Sequence, residues 1–325
     1  MYERYFGLRE LPFDLTANPR YLYLTPSHRE ALSNLQYGIT RRRGVTLLIG
    51  DAGTGKTTVV RAALESDSLR SASCVYLNNP SLTRAEFIEF LARAFALSDR
   101  ATTSKTTMLF ELEQLLRNRA AQGLVTALVV DEAQAMPMEV LEEIRLLANI
   151  ETPTDKLLPV VLAGQLNLAD RLNDPALKQL NQRVALRCEL RPLDLRETSA
   201  YIAGRIRIAG GDSSKLFTRE AVELIHRCSQ GIPRTISVIC DNALVSAFAA
   251  DQRPIGRELV QAVCNDFDLK PQGPPPAPPL ERGRVAPPGR ERSAAADRTT
   301  NRSKALATGD SMFSVFTRRR RFSFF

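Results

Sequence analysis

The sequence predicts an α/β fold: a parallel sheet flanked by helices, followed by a small all-helical domain and a disordered C-terminal tail. Short apolar runs alternate with helical patterns up to residue 192, and this alternation is typical of a parallel sheet. Strand patterns then stop, while helical patterns continue to about residue 266. From residue 269 the chain is rich in Pro and Arg and has no apolar periodicity as far as Met312. Such a segment cannot bury enough apolar surface to offset its conformational entropy.

Each strand is predicted from a short apolar run. The predicted strands are residues 45–49, 74–77, 126–131, 158–163 and 184–190. After the third of them, Pro137 opens a helix, because proline is well suited to the first helical turn. One face of this helix is an apolar stripe, formed by Val140, Leu141, Ile144, Leu147 and Ala148. The stripe has the spacing of an amphipathic helix.

The helical domain is predicted from its capping signals. Asp194 and Glu197 have the spacing of a capping box and begin a helix that runs to about residue 209. Thr218 can cap the next helix, which ends at Gly231. Two further helices are expected near residues 234–249 and 256–266.

A glycine-rich loop follows the first predicted strand and reads G-x-x-x-x-G-K-T. Its residues, with the threonine that follows, are Gly50, Asp51, Ala52, Gly53, Thr54, Gly55, Lys56, Thr57 and Thr58. Glycines let backbone N–H groups surround a polyphosphate, and the following helix N-terminus adds partial positive charge. Lys56 supplies a cation to the β- and γ-phosphates, and the Thr57 hydroxyl can bind Mg²⁺. The alternative, a plain glycine-rich turn, does not explain this strand–loop–helix context. The loop therefore predicts binding of a nucleoside triphosphate.

Two carboxylates, Asp131 and Glu132, follow the third predicted strand. Asp131 at the strand tip can hold the Mg²⁺ shell, and Glu132 can polarise an attacking water. Alone, the pair would be read as two solvated carboxylates at a strand end. The strand candidate 74–77 lies between the two motifs in the sequence, which indicates the class of ATPases with an extra strand between the loop strand and the acidic strand. Hydrolysis is therefore favoured over kinase chemistry, which needs an acceptor pocket.

The net charge of +8 is concentrated in the tail. Of 44 Lys and Arg and 36 Asp and Glu, twelve and four lie from residue 270 onward, which leaves 32 of each in residues 1–269. A neutral folded part argues against a basic nucleic-acid-binding domain. Five scattered cysteines without a C-x-x-C pair indicate reduced side chains.

The last fourteen residues combine phenylalanines with four consecutive arginines, Arg318 to Arg321. They are either a solvated tail or a segment that contacts an anionic membrane surface or a protein. The N-terminus lacks the apolar core of a signal peptide, and no apolar run reaches the length of about 18 residues that a membrane span needs. We expect a cytoplasmic protein, with association at the inner face of the cytoplasmic membrane as a further option.

The motifs together resemble AAA+ ATPases, and more narrowly the general secretion pathway protein A (ExeA/GspA) type. The match runs from residue 1 to about residue 266. Its segments are Tyr5 to Leu8, Pro12-Phe13, Asn18 to Tyr23, Ser27 to Leu32, Gly50 to Thr57, Asp131 to Gln134, Leu141 to Glu151, Val161 to Gln165, Gln182-Arg183 and Gly231 to Arg234. The phosphate loop alone is common to many enzymes, whereas the N-terminal block and the helix after the acidic pair are narrower signals.

The resemblance implies roles for three further residues. Gln165 matches the sensor residue that contacts the γ-phosphate or the water. Arg183 matches the arginine finger, and Arg234 matches the second sensor residue. The plain alternatives are a solvated strand end for Gln165, an ion pair for Arg183 and a helix-start arginine for Arg234. The N-terminal block either lies over the adenine or packs as a linker.

The resemblance also implies a domain plan. The expected parts are an N-terminal adenine-side segment (1–44), a nucleotide-binding α/β domain (45–192), a helical lid (193–268) and the tail (269–325). Full-length secretion ATPases of this type usually continue into a membrane span and a peptidoglycan-binding domain. This chain is therefore expected to be a short form without them.

We expect an ATP-hydrolysing protein that forms homo-oligomers and powers or regulates assembly of a bacterial cell-envelope export system, of the secretion, exopolysaccharide, exosortase or pilus type. The rival hypothesis is a DNA-binding transposition or targeting adaptor whose oligomeric state is switched by ATP. The neutral folded part weighs against that rival. A small-molecule kinase is the third and weakest hypothesis.

Overall fold

Five parallel strands form a single sheet in the computed structural model, which describes residues 1–78 and 80–271. The strands are β1 (Val45–Gly50), β2 (Ser73–Leu77), β3 (Thr126–Val130), β4 (Val160–Gly164) and β5 (Val184–Leu190). Their order is β2-β3-β4-β1-β5. Every residue of β1, β3 and β4 is buried, whereas β2 and β5 at the edges are partly exposed. Strands covered on both faces need continuous apolar runs, so the predicted α/β class is confirmed.

The position of β4 corrects one detail of the sequence prediction. A strand does separate the loop strand β1 from the acidic strand β3, but it is β4, which pairs with both. The strand that lies between the two motifs in the sequence, β2, pairs with β3 at the edge of the sheet. Sequence order and spatial order differ because parallel strands are joined by crossovers, and these can skip positions in the sheet.

Helices cover both faces of the sheet and form a separate helical layer at the end of the described chain. The helices are α1 (Tyr2–Phe6), α2 (Pro26–Thr40), α3 (Lys56–Leu64), α4 (Arg84–Ala94), α5 (Asp99–Thr103), α6 (Lys105–Ala121), α7 (Met138–Leu147), α8 (Leu166–Leu172), α9 (Lys178–Asn181), α10 (Leu195–Ile208), α11 (Arg219–Ser229), α12 (Pro233–Ala249) and α13 (Arg257–Asp266).

Two apolar layers enclose the sheet because successive side chains of a strand point to opposite faces. Leu47 and Ile49 of β1 pack with helices α4 to α9, and the apolar stripe predicted for α7 is buried in this layer. Leu48 packs on the other face with α2 and α3. The loop after β1 is therefore anchored between two well-packed layers.

Helices α10 to α13 form a lid with its own apolar core. The predicted capping box of Asp194 and Glu197 is present, and Thr218 caps α11 as expected. The lid core also includes four side chains from the N-terminus, Tyr2, Phe6, Leu8 and Phe13. The N-terminal block is thus divided: its first residues pack in the lid, while α2 packs on the sheet.

The described residues form one compact unit. Within them, no helix is both long and apolar enough to cross a membrane. The predictions for the tail concern residues outside the described ranges, apart from its first three.

Candidate active site

The phosphate loop joins β1 to α3 at the carboxyl ends of the parallel strands. Lys56 is the first residue of α3 and is buried. Its ammonium group donates to the carbonyl oxygens of Gly50 and Asp51, both at 2.9 Å. Burial lowers the pKa of Lys56, while the carboxylates of Glu132, Asp131 and Asp51 oppose that shift. A bound phosphate would have to replace these carbonyl acceptors, and its negative charge would compensate the buried ammonium better than they do.

Thr57 and Asp131, the two predicted Mg²⁺ residues, are in direct contact. The Thr57 hydroxyl donates to Asp131 Oδ2 at 2.6 Å. The Tyr76 hydroxyl donates to the same oxygen at 2.9 Å. Burial and the nearby carboxylate raise the pKa of Tyr76, so the phenol remains a proton donor. A hydroxyl and a carboxylate oxygen at one point form a donor set that suits Mg²⁺, which prefers oxygen ligands.

Glu132 is connected to Gln165 through the side chain of Gln134. Gln134 Nε2 donates to Glu132 Oε2 at 2.6 Å, and Gln134 Oε1 accepts from the Gln165 backbone N–H at 3.0 Å. Glu132 has a left-handed backbone conformation, with φ of 53°. This conformation is rare for residues with a side chain and is found repeatedly at functional sites. The side-chain amide of Gln134 therefore connects the predicted base, Glu132, to the residue that follows β4, Gln165.

Arg234 reaches the phosphate loop from the lid. It lies in the first turn of α12, and its backbone N–H donates to the carbonyl oxygen of Gly53 at 3.2 Å. A Cβ on Gly53 would lie 2.8 Å from the Cβ of Arg234, so only glycine permits this approach of the lid. Arg234, Lys56, Thr57 and Glu132 line one cavity of ≈ 260 Å³.

Arg183 lies at the amino ends of the parallel strands, whereas the phosphate loop lies at their carboxyl ends. Its carbonyl oxygen accepts from the backbone N–H of Val45, the first residue of β1, whereas the phosphate loop follows the last residue of that strand. The length of β1 separates the two by ~17 Å. Arg183 Nε is buried and has no hydrogen-bond partner among the described residues. The structure therefore brings the other predicted site residues together and leaves Arg183 apart from them.

The N-terminal block borders the phosphate loop. Tyr21, Leu22 and Tyr23 line a small cavity of ≈ 50 Å³ together with Thr54 and other loop and lid residues. His28, at the start of α2, places its Nε2 3.1 Å from the carbonyl oxygen of Thr54. The block thus both packs against the lid and lies beside the loop.

Four further side chains contact the site although no sequence motif indicates an individual role for them: Tyr76, Gln134, His28 and Arg205. Gln134 and His28 fall in segments that carry the family resemblance, so those motifs contained a usable signal. Tyr76 lies in an ordinary strand and Arg205 in an ordinary helix, and neither has a local pattern that indicates a role. A larger groove of ≈ 920 Å³ lies between α10 and α11, and its lining comes from the lid and not from the phosphate loop.

Comparison with known proteins agrees with this architecture. Residues 39–172 match the family model described as an AAA domain. The chain is 43% identical over 258 residues to general secretion pathway protein A from Aeromonas hydrophila, covering 78% of this chain and 46% of the relative. It therefore spans about half the length of that relative.

Two solved structures share the fold. Cdc6p from Pyrobaculum aerophilum has a TM-score of 0.60 at 18% identity, covering 78% of this chain and 70% of that one. The ORC2 protein from Aeropyrum pernix, solved as ADPNP–ADP complexes, has a TM-score of 0.55 at 16% identity, covering 78% and 71%. At these identities the likeness concerns the fold alone.

Proposed function

Because the chain belongs to the AAA ATPases of the general secretion pathway protein A type, we propose that it binds ATP with Mg²⁺ and hydrolyses it to ADP and phosphate. One observation carries the proposal. Lys56, Thr57, Glu132 and Arg234 line a common cavity, and Asp131 lies 2.6 Å from the Thr57 hydroxyl. A cation, a metal-binding pair, a base and a lid arginine thus converge where a triphosphate would lie.

Binding follows from the loop. The backbone N–H groups of residues 50–58 surround the phosphates, and the α3 N-terminus favours their negative charge. Lys56 exchanges its carbonyl acceptors for phosphate oxygens. Arg234 contributes a second cation from the lid, so that the lid and the loop both hold the ligand.

Hydrolysis needs a base beside the phosphate chain. Thr57 and Asp131 would hold Mg²⁺, which neutralises phosphate charge when bound. Glu132 accepts a proton from the attacking water. Gln134 keeps the Glu132 carboxylate oriented. Gln165, which Gln134 also contacts, comes directly after β4, where a sensor of the γ-phosphate or the water is expected.

We further propose that the protein acts as a homo-oligomer in which Arg183 serves the nucleotide of a neighbouring copy. The relative's name indicates a role in general secretion. On that basis the partner is a cell-envelope export or membrane component, and the protein works in the cytoplasm or at the inner face of the membrane. Salt-dependent binding of duplex DNA would instead favour the adaptor hypothesis.

The test is ATP binding and steady-state hydrolysis by two site variants, each with a matched surface control. Lys56→Ala should lose most of its ATP affinity, because charge-assisted contacts contribute about 1.5–3 kcal/mol each. Glu132→Gln should bind ATP normally and hydrolyse it about 10²–10⁴-fold more slowly, because the amide cannot accept the proton. Unchanged affinity or an unchanged rate, respectively, would contradict the two assignments.

The controls are Lys178→Ala and Glu139→Gln. Both residues are exposed and lie outside the lining of the cavity. Both variants should bind and hydrolyse ATP like the parent protein. A loss in the controls as large as in the site variants would show that the assay responds to surface charge.

A further inference from the structure

Arg205, in the last turn of α10, is a buried arginine that contacts two tyrosine rings. Only 8% of its surface is exposed. The guanidinium carbon lies 5.0 Å from the ring centroid of Tyr21 and 5.2 Å from that of Tyr201. Tyr201 is one helical turn before Arg205, and Tyr21 belongs to the N-terminal block. Contacts of a cation with aromatic faces are favourable, and they fix the plane of the guanidinium.

Not every N–H group of this guanidinium has a hydrogen-bond acceptor among the described residues. Nη1 donates to the Asp14 carbonyl oxygen at 3.3 Å and to Ser237 Oγ at 3.1 Å. Nε is buried without a hydrogen-bond partner among the described residues. No ion pair formed within residues 1–78 and 80–271 includes Arg205. A buried charge without an opposite charge is costly, so this arrangement suits a site that receives an anion.

Arg205 lies where two cavities meet. It lines the cavity that contains Lys56 and Glu132, and also the smaller one that contains Tyr23 and Leu193. The first has the cationic character of a phosphate site, and the second is bordered by aromatic and apolar side chains. In a nucleotide, the ribose and the α-phosphate connect the base to the distal phosphates, so they would lie at this junction.

We propose that Arg205 is a nucleotide-binding residue that donates to the α-phosphate of the bound nucleotide. This inference rests on the proposed function, because it needs a nucleotide at the phosphate loop. Arg205 also bonds the N-terminal segment through Asp14 and α12 through Ser237. The bound α-phosphate would therefore connect the N-terminal block and two lid helices to the phosphate loop.

The experiment measures the affinity of Arg205→Met for ATP, ADP, AMP and adenosine by competition with a fluorescent ATP analogue. Methionine keeps the length and packing of the side chain but removes its charge. ATP, ADP and AMP share the α-phosphate, so all three should bind roughly 10- to 100-fold more weakly, as expected for a charge-assisted hydrogen bond. Adenosine lacks the phosphate and should bind as it does to the parent protein.

The other outcomes overturn the inference. Equal weakening for adenosine would assign Arg205 to the base side of the site. Weakening for ATP alone would assign it to the γ-phosphate. Unchanged affinity for every ligand would make it a structural residue. If the parent protein binds none of these nucleotides, the proposed function fails instead, which separates the two failures.

Two further variants secure the result. Arg207→Met changes an exposed arginine two residues along the same helix and should leave all four affinities unchanged. Should Arg205→Met lose its cooperative thermal transition, Arg205→Lys is measured in its place. Lysine keeps the charge but cannot supply the same fork of N–H groups, so the three phosphorylated ligands should bind several-fold more weakly and adenosine equally well. Unchanged affinities in Arg205→Lys would overturn the inference.

Discussion

Among individual residues, a buried histidine at the start of α2 contacts the backbone of the phosphate loop. His28 is buried, with Nε2 3.1 Å from the Thr54 carbonyl oxygen and Nδ1 2.6 Å from the Thr25 hydroxyl. A carbonyl oxygen can only accept, so this partner assigns the proton to Nε2. In the neutral imidazole, which burial favours, the Thr25 hydroxyl donates to Nδ1. Burial lowers the pKa of His28, although Thr54 and Glu197 oppose that shift.

We predict that this histidine makes the free energy of unfolding depend on pH just below neutrality. An unfolded histidine titrates near pH 6.5, and the folded pKa lies lower. As pH falls below about 6.5, the unfolded chain therefore binds the proton first, and stability is lost with a slope of at most ~1.4 kcal/mol per pH unit. Urea unfolding at pH 7.5 and 5.5 should show a smaller loss in His28→Gln than in the parent protein.

The control uses the second of the two histidines in the chain. His226 contacts the Thr198 hydroxyl at 3.0 Å, and burial lowers its pKa as well. His226→Gln should remove its own share of the pH dependence and keep that of His28. A pH dependence in His28→Gln equal to that of the parent protein would contradict the assignment.

Among the elements, the turn before α12 contacts the segment that joins β5 to α10, and the first turn of α12 contacts the phosphate loop. The backbone N–H of Leu193 donates to the Gly231 carbonyl oxygen at 2.8 Å, and Arg234 bonds the phosphate loop three residues later. Gly231 has φ of 73°, and a Cβ there would lie 2.0 Å from the Leu193 carbonyl oxygen. Both the backbone conformation and the space therefore require glycine.

Gly231→Ala should lower the free energy of unfolding by at least about 2 kcal/mol. The left-handed conformation alone costs about 1–2 kcal/mol for a residue with a Cβ, and the backbone contact adds to that. The matched control is Gly204→Ala, within α10, where an added Cβ meets no atom within 4 Å among the described residues. Alanine in a helix interior is favoured over glycine by roughly 0.5–1 kcal/mol, so this variant should be stabilised. Urea midpoints check both, and equal effects of the two substitutions would refute the argument.

Across the whole chain, the predicted catalytic residues are divided between the carboxyl ends and the amino ends of the parallel strands. The phosphate loop and Glu132 follow the carboxyl ends of their strands, whereas Arg183 is at the amino end of the sheet, beside Val45. Within one copy, the length of β1 prevents Arg183 from reaching the nucleotide. An arginine finger at Arg183 therefore requires a second copy of the chain.

We predict that Arg183→Ala binds ATP with parent affinity but hydrolyses it poorly. Arginine fingers can accelerate phosphoryl transfer by about 10³–10⁵-fold. Mixing Arg183→Ala with Glu132→Gln should partly restore hydrolysis, because some mixed interfaces pair an intact Glu132 with an intact Arg183. Steady-state ATPase rates of the separate and mixed variants provide the measurement. No recovery under conditions in which mixed oligomers form would return Arg183 to a structural role.

Much of the fold was predictable because its signals are local. The buried runs of β1, β3 and β4, the stripe of α7 and the Asp194–Glu197 capping box depend on residues within one element. Such patterns report burial and backbone preference directly. The phosphate loop and the acidic pair could be assigned for the same reason, since each motif is continuous in the sequence.

The class of the fold, the phosphate loop, the acidic pair and the helices after β5 can be read from continuous patterns in the amino-acid sequence. Three features became visible only in the folded chain: β4 separates β1 from β3, the first residues pack in the lid core, and Arg205 borders the site. These features arise from contacts between segments far apart in the chain. Such contacts are selected by packing and by strand pairing, which no short window of residues encodes.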